Sequence, residues 1–453
     1  MATLPPDREA IPRTGLPDSP WRIDAASGSS AADDAARAQL KERLYQHLLA
    51  IVSSGRDERL DRDRLRLELA RAAETLLHDD PDSFDFTTQQ SLLDEVLDHV
   101  LGYGPIGELM RDDEITDILV NGPRQVFFEK LGRLHKADVA FQDEKQLLEV
   151  VERMLAGSGR RLDDQCRMID ARLPDGSRLN VVSKPPALNG PLVSIRRFGA
   201  RPLTAADLIV NESLRPEMLE FLSACVKARM NLVISGGAGS GKTTLLNALS
   251  RFIPESERVV TIEDTAELEL QQQHVAKMES IASAPGVVSL RELVHNALRM
   301  RPDRIIVGEC RGAEALDMLQ AMSTGHEGSM TTIHGNSPRE VLSRIELMIG
   351  MAGYDMPAWL IRKLIVGSIN IVVQVARVPG GKRKVVAISE IAGLEGDVIC
   401  MQELFEFVQK GSEASAEFRV TGNRPRCLQR LQARGTGMTP QLFAARTLGA
   451  RKT

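Results

Sequence analysis

Apolar positions change rhythm several times along the 453 residues, and each change marks a boundary. Residues 1–35 show no apolar period and carry five prolines in their first twenty positions, a pattern that predicts a disordered arm. From 36 to 84, "AQLKERLYQHLLAIV" and "RLRLELARAAETLL" each place apolar residues on one helical face, predicting a helical N-terminal extension. After "DDPDSFDF" the amphipathic "TTQQSLLDEVLDHVLG" opens a smaller α+β domain over 85–200. Within it "ITDILVNGPRQVFFEKLGRLHKADVAF" alternates and turns at Asn121-Gly122 and near Gly132, as a strand meander does. The helical "DEKQLLEVVERMLAG" and the strand-like "DARLPDGSRLNVV" and "GPLVSIRRF" complete that domain. Over 203–410 helices and short buried strands alternate, the signature of an α/β domain: "LVI", "VVTIED" and "RIIVGE" are strands. Ser289 and Glu292 form a capping box ahead of "LRELVHNALRM", and a hairpin turns at Gly380-Gly381. Residues 411–453, rich in Arg and Gly, read as a loose, partly helical tail.

Composition narrows the function classes. Hydrophobic content of 43% supports real cores, while a net charge of −5 and a pI near 6.0 give no general attraction to nucleic acid or anionic lipid. The five cysteines lie far apart without a C-x-x-C pair, which excludes a tetra-cysteine zinc module and suits a reducing compartment. No apolar run is long enough to span a bilayer, and "MATLPPDREAIPR" lacks the apolar core of a signal peptide. The expected location is cytoplasmic, with membrane attachment only through partners.

The chemistry begins at "NLVISGGAGSGKTTLLNAL". Gly236, Gly241, Lys242 and Thr243 fit G-x-x-x-x-G-K-[ST], in which backbone N–H groups close around phosphates, the lysine reaches the outer phosphates and the hydroxyl sits on Mg²⁺. A strand precedes and a helix follows, so the helix N-terminus faces the anion. The nucleotide-binding segment is therefore Gly236, Gly237, Ala238, Gly239, Ser240, Gly241, Lys242, Thr243 and Thr244, with ATP and Mg²⁺ as the implied substrate and metal.

Hydrolysis also requires a group to align water. Glu309, ending "RIIVGE", is the candidate; Gly308 stands where such strands often carry a metal-binding Asp. Metal binding then rests on Thr243 and on acids of "TIED", chiefly Glu263, which is also the alternate catalytic carboxylate, with Asp264 beside it. In "STGHEGSMTTIHGNSP" two histidines, His326 and His334, are set among small residues. His334, following the β-prone "MTTI", is the better placed to sense a terminal phosphate.

In order, "GGAGSGKTT", "TIEDTAELEL", "RMRPDRIIVGECRG" and "STGHEGSMTTIHGNSP" resemble the Walker A, Asp, glycine-containing Walker B and His boxes of the type II/IV secretion ATPase superfamily. Within it "GYGPIGELMRDDEITDILVNGP", "DARLPDGSRLNVVSKPPALNGPLVSIRRF" and "GGKRKVVAISEIAGLEGDVICMQELFEF" are similar to the CpaF/TadA branch that assembles tight-adherence (Flp) pili. The resemblance covers residues 90–410. It implies a RecA-like P-loop domain after a PAS-like α+β domain, a homo-hexamer, and inner-membrane platform proteins as partners. It also implies arginines of the smaller domain that reach the phosphates, matched here by Arg172, Arg178 and Arg196.

Three other readings compete with this one. A type IV secretion traffic ATPase has a similar two-domain ring. A RecA-like nucleic-acid translocase is disfavoured by the acidic balance and by an aromatic content of only 4%, which leaves few stacking platforms. A nucleotide-gated scaffold without turnover is disfavoured by Glu309.

Overall fold

The computed structural model describes residues 102–449, apart from 131, 159, 164, 198–202, 282–285 and 410–415, together with parts of 40–48, 62–76 and 90–97. The arm at 1–35 lies outside the described residues. The chain divides into two compact units, residues 1–199 and 200–453.

In the first unit, six strands form one antiparallel sheet: β1 (Ile115–Asn121), β2 (Val126–Lys130), β3 (Arg133–Lys136), β4 (Met168–Arg172), β5 (Arg178–Val182) and β6 (Leu192–Arg196). Their order is β3-β2-β1-β6-β5-β4. Alternation decides which face is covered. Ile118, Val120, Ile169, Leu179, Val181, Val193 and Ile195 are buried against the helix Glu144–Leu155. That helix starts where Asp143 accepts the Gln146 N–H at 2.8 Å, and it buries Leu147, Val150, Val151 and Met154 at helical spacing. The expected extension contains the helix Arg62–Leu76; Leu69 packs with Leu44, Leu48, Leu92 and Leu97 in a separate small core.

The second unit holds a ten-stranded sheet. Its strands are β7 (Leu232–Gly236), β8 (Val259–Glu263), β9 (Val275–Glu279), β10 (Arg304–Cys310), β11 (Met330–His334), β12 (Ile371–Arg377), β13 (Arg383–Glu395), β14 (Val398–Gln409), β15 (Ala416–Val420) and β16 (Arg446–Leu448). The order is β16-β15-β14-β13-β12-β7-β11-β10-β8-β9. From β12 to β9 the pairs are parallel; from β13 to β16 they are antiparallel. The central strands read as unbroken apolar runs because both faces are covered: Leu232, Ile234 and Ile306 face one core, Val233, Ile305 and Val307 the other. Ser289 and Glu292 make the expected reciprocal cap.

The C-terminal segment departs from the loose tail expected over 411–453. Over 416–449 it adds β15, the helix Leu428–Ala433 and β16 to the sheet and its core. Phe443 meets Phe221 edge-on with centroids 5.4 Å apart, and Leu428, Leu431 and Leu448 are buried beside them. These anchors are few and widely spaced in a polar background, so no periodicity announces them. Among the described residues no helix is long and apolar enough to cross a membrane.

Candidate nucleotide-hydrolysis site

Parallel pairing brings the C-terminal ends of β7, β11 and β10 to one edge of the sheet, where ligands of open α/β sheets bind. Gly236 ends β7, and the loop to Gly241 leads into the helix Lys242–Ser250. A Cβ at Gly236 would stand 2.3 Å from the Val375 carbonyl oxygen and 2.4 Å from Ser240 Oγ, so only glycine lets the strand turn here. Gly239 and Gly241 have φ of +65° and +96°, the left-handed region that aligns successive N–H groups toward one point. Ala238 and Gly239 are exposed at the loop tip, whereas Thr243 and Thr244 are half-buried in the first helical turn.

Three predicted residues meet in a line. Lys242 is buried; its Nζ donates to the Gly237 carbonyl at 3.0 Å and lies 3.4 Å from His334 Nδ1. On the far side of the ring, His334 Nε2 is 3.1 Å from Glu309 Oε1. Burial, then the Lys242 charge, pull the imidazole below its ordinary value despite Glu309. A neutral ring protonated on Nε2 satisfies both neighbours, accepting from the ammonium and donating to the carboxylate. His326 sits at the opposite end of β11, where its carbonyl accepts from Ser329 Oγ at 2.7 Å.

Glu263 is organised differently. Its Oε2 accepts the backbone N–H groups of Glu267 and Leu268 at 2.7 and 2.8 Å, while Oε1 is buried with no hydrogen-bond partner among the described residues. Burial pushes the carboxyl up to about 7, against the lowering effect of those two amides. The room provided by Gly308 is filled by this side chain: a Cβ there would stand 3.0 Å from Glu263 Cγ. Asp264 is engaged by Arg311 and by Ser280 Oγ.

No group of three His, Cys, Asp or Glu able to hold a metal occurs among the described residues. The side chains present suit a Mg²⁺ that arrives on a nucleotide. They offer the Thr243 hydroxyl, in the first helical turn, and a carboxylate oxygen without a hydrogen-bond partner among the described residues, Glu263 Oε1.

Arg172, Arg178 and Arg196 belong to the first unit, where they occupy one rung of three neighbouring strands, Arg172 opposite Arg178 and Arg178 opposite Arg196. They share the face away from Ile169, Leu179 and Ile195, and Arg196 Nε donates to Asp117 Oδ1 at 3.1 Å on the next strand.

Two residues at the loop escaped the sequence reading. Arg383 Nε donates to the Gly239 carbonyl at 2.9 Å. Gln374, buried, bonds to Ser235 Oγ and donates from Nε2 to the Gly335 carbonyl at 2.9 Å, tying β12 to the turn after His334. Gln374 had a signal, an amide inside the apolar run "INIVVQVA"; Arg383 had none.

A family model described as "Type II/IV secretion system protein" matches residues 100–425. A putative conjugal transfer protein of Mycobacterium tuberculosis is 35% identical over 306 residues, covering 66% of this chain and 86% of that protein. The type IV secretion system protein VirB11 of Bartonella quintana is 30% identical over 315 residues, covering 61% and 88%. Among solved structures, the VirB11 ATPase of the Brucella suis type IV secretion system, in complex with sulphate, aligns with a TM-score of 0.36 and 29% identity, over 63% of this chain and 91% of that one.

Proposed function

This chain belongs to the type II/IV secretion system protein family and is an ATPase, and from that premise we propose that it is a homo-hexameric motor whose ATP hydrolysis drives a secretion or pilus machine. The observation that carries the reading is the Lys242–His334–Glu309 line at the mouth of a phosphate loop. Backbone N–H groups of residues 237–243 and the Lys242 ammonium bind the outer phosphates. The Glu309 carboxylate orients the attacking water. His334, neutral and shared between the two, reads whether the terminal phosphate is present: a phosphate that draws Lys242 away removes the ring's donor at Nδ1. Mg²⁺, when bound, offsets negative charge on the phosphate oxygens, with the Thr243 hydroxyl and Glu263 Oε1 as the groups that would hold it or its waters. From the first unit, the guanidinium row Arg172–Arg178–Arg196 supplies further positive charge as the motor closes on its substrate.

The branch reading is tight-adherence (Flp) pilus assembly at an inner-membrane platform, resting on the CpaF/TadA-like stretches between residues 102 and 407. The similarity to VirB11 and to a putative conjugal transfer protein favours a second reading, a type IV secretion traffic ATPase. In both, the protein is cytoplasmic and peripheral at the inner membrane through its partners.

Two variants test the chemistry. Lys242→Ala weakens ATP binding, whereas Glu309→Gln keeps binding and loses about 10²–10⁴-fold in turnover, since only the water-orienting carboxylate is gone. Light scattering of Glu309→Gln with ATP gives a mass of about six protomers, a closed ring of heterologous contacts with the copy number that the family resemblance implies. Wild-type turnover in Glu309→Gln would move the carboxylate role to Glu263, and a monomer with ATP bound would overturn the motor.

A further inference from the structure

Outside the nucleotide loop, the second unit carries a basic pocket that the hydrolysis chemistry does not use. It is an open-mouthed cavity of about 80 Å³ between the turn that follows β12, the start of β13 and the β14–β15 pair. Among the described residues, Arg215, Lys382 and Lys384 supply three cations to its lining against one carboxylate, Glu212. The apolar wall is the ring pair Phe407–Phe418, with centroids 4.9 Å apart. The Arg215 guanidinium lies 5.3 Å and Lys384 Nζ 5.7 Å from the centre of the Phe418 ring.

The charges there are imperfectly matched. Glu212 stands 3.6 Å from Arg215 and 3.7 Å from Lys384, so one half-exposed carboxylate serves both. Lys384 donates to the Glu212 carbonyl at 2.6 Å but is 7% exposed, and burial pulls its ammonium below the ordinary value. Arg215 Nε is buried with no hydrogen-bond partner among the described residues. The Arg215 side chain therefore lines the cavity with hydrogen-bonding capacity that its present neighbours leave unused. The planar Arg fork with two ammonium groups suits a tetrahedral oxyanion of phosphate type, and the volume suits a small one.

We propose that this pocket is a second anion site, distinct from the nucleotide's phosphate loop, for a phosphate-type oxyanion held by Arg215, Lys382 and Lys384. It neighbours the phosphate loop in space though not in sequence, because Arg383, between the two lysines, donates to the Gly239 carbonyl. The source of the oxyanion is either free phosphate or the phosphoryl group of a small metabolite; the site chemistry is the same.

Calorimetric titration of the full chain with inorganic phosphate, in saturating Mg²⁺ and ADP, tests the site. The expected result is one equivalent bound, retained in Lys242→Ala without nucleotide, and weakened at least tenfold in Arg215→Gln and in Lys384→Met. Lys382→Glu, at the less buried position, gives the same loss should either of those fail to fold. A parallel titration with AMP assigns the source: tighter binding than phosphate means a phosphoryl group on a nucleoside, equal or weaker binding means free phosphate. Absence of binding, loss of binding in Lys242→Ala or under saturating ADP, or unchanged affinity in Lys382→Glu each overturns the proposal.

Discussion

At Glu263 one carboxylate oxygen takes two backbone amides and the other takes nothing among the described residues, in a site packed closely against Gly308. Burial dominates and raises the carboxyl from an ordinary 4.5 to about 7, so the folded protein holds this proton more tightly than the unfolded chain does. The sign follows: the contribution to stability is fully present below about pH 4.5 and is lost as pH rises through 7. At ~1.4 kcal/mol per pKa unit, the loss between pH 5 and 8 is roughly 2 kcal/mol. In nucleotide- and metal-free protein, Glu263→Gln, whose amide oxygen still accepts the two N–H groups, therefore loses less stability over that range than wild type. Urea unfolding at pH 5 and 8 measures the difference, and identical pH slopes would mean the carboxylate is ionised throughout. The sequence offered "TIED" as a pair of acids for metal. It could not show that Glu263 turns inward to its own chain, because that depends on two amides four and five residues on and on a glycine of another strand.

Elements were legible where one short run contains its own reason. β7, β8 and β10 are apolar bursts buried on both faces, and their ends deliver Gly236, Glu263 and Glu309. His334 was legible for the same reason, as the polar residue closing "MTTI". β9, "VAKME", is a half-exposed edge strand without an apolar burst, and it went unseen. Arg383 and Gln374 touch partners 144 and 139 residues away, a relation no local pattern encodes. The C-terminal segment failed on the same ground, and it carries a direct test. Phe443 is 2% exposed among Phe221, Phe405 and Leu442, so Phe443→Ala removes a ring from the core and costs about 3–5 kcal/mol. Denaturant unfolding followed by far-ultraviolet dichroism reads that loss. A cost below about 1 kcal/mol, the size expected of a surface site, would return the segment to the loose tail its composition suggests.

For the whole molecule, the proposed motor raises the question of how ATP is told from ADP. The phosphate loop and Lys242 supply positive potential from the second unit, and a triphosphate on Mg²⁺ remains negative, more so as the terminal bond breaks. The first unit offers three guanidinium groups on one rung of three adjacent strands. Like charges placed directly opposite across strands repel, and a polyanion beside the row would offset that repulsion. A ligand shifts a conformational equilibrium only by its differential affinity for the two states. If the row answers the charge that ATP has and ADP lacks, ATP favours closure and hydrolysis releases it. Arg172→Ala, Arg178→Ala and Arg196→Ala should then each lower turnover by roughly tenfold or more, as loss of a charge-stabilising donor does, while ADP affinity changes little. Arg196→Ala also frees Asp117, so its effect includes a carboxylate left without its 3.1 Å partner. Arg196→Lys separates the two contributions: it keeps a cation for Asp117 but loses the planar fork that grips phosphate. Turnover, ADP affinity by calorimetry and the dichroism spectrum of each variant decide the matter. Folded variants that all hydrolyse ATP at the wild-type rate would remove the row from the mechanism and leave closure to groups of the second unit alone.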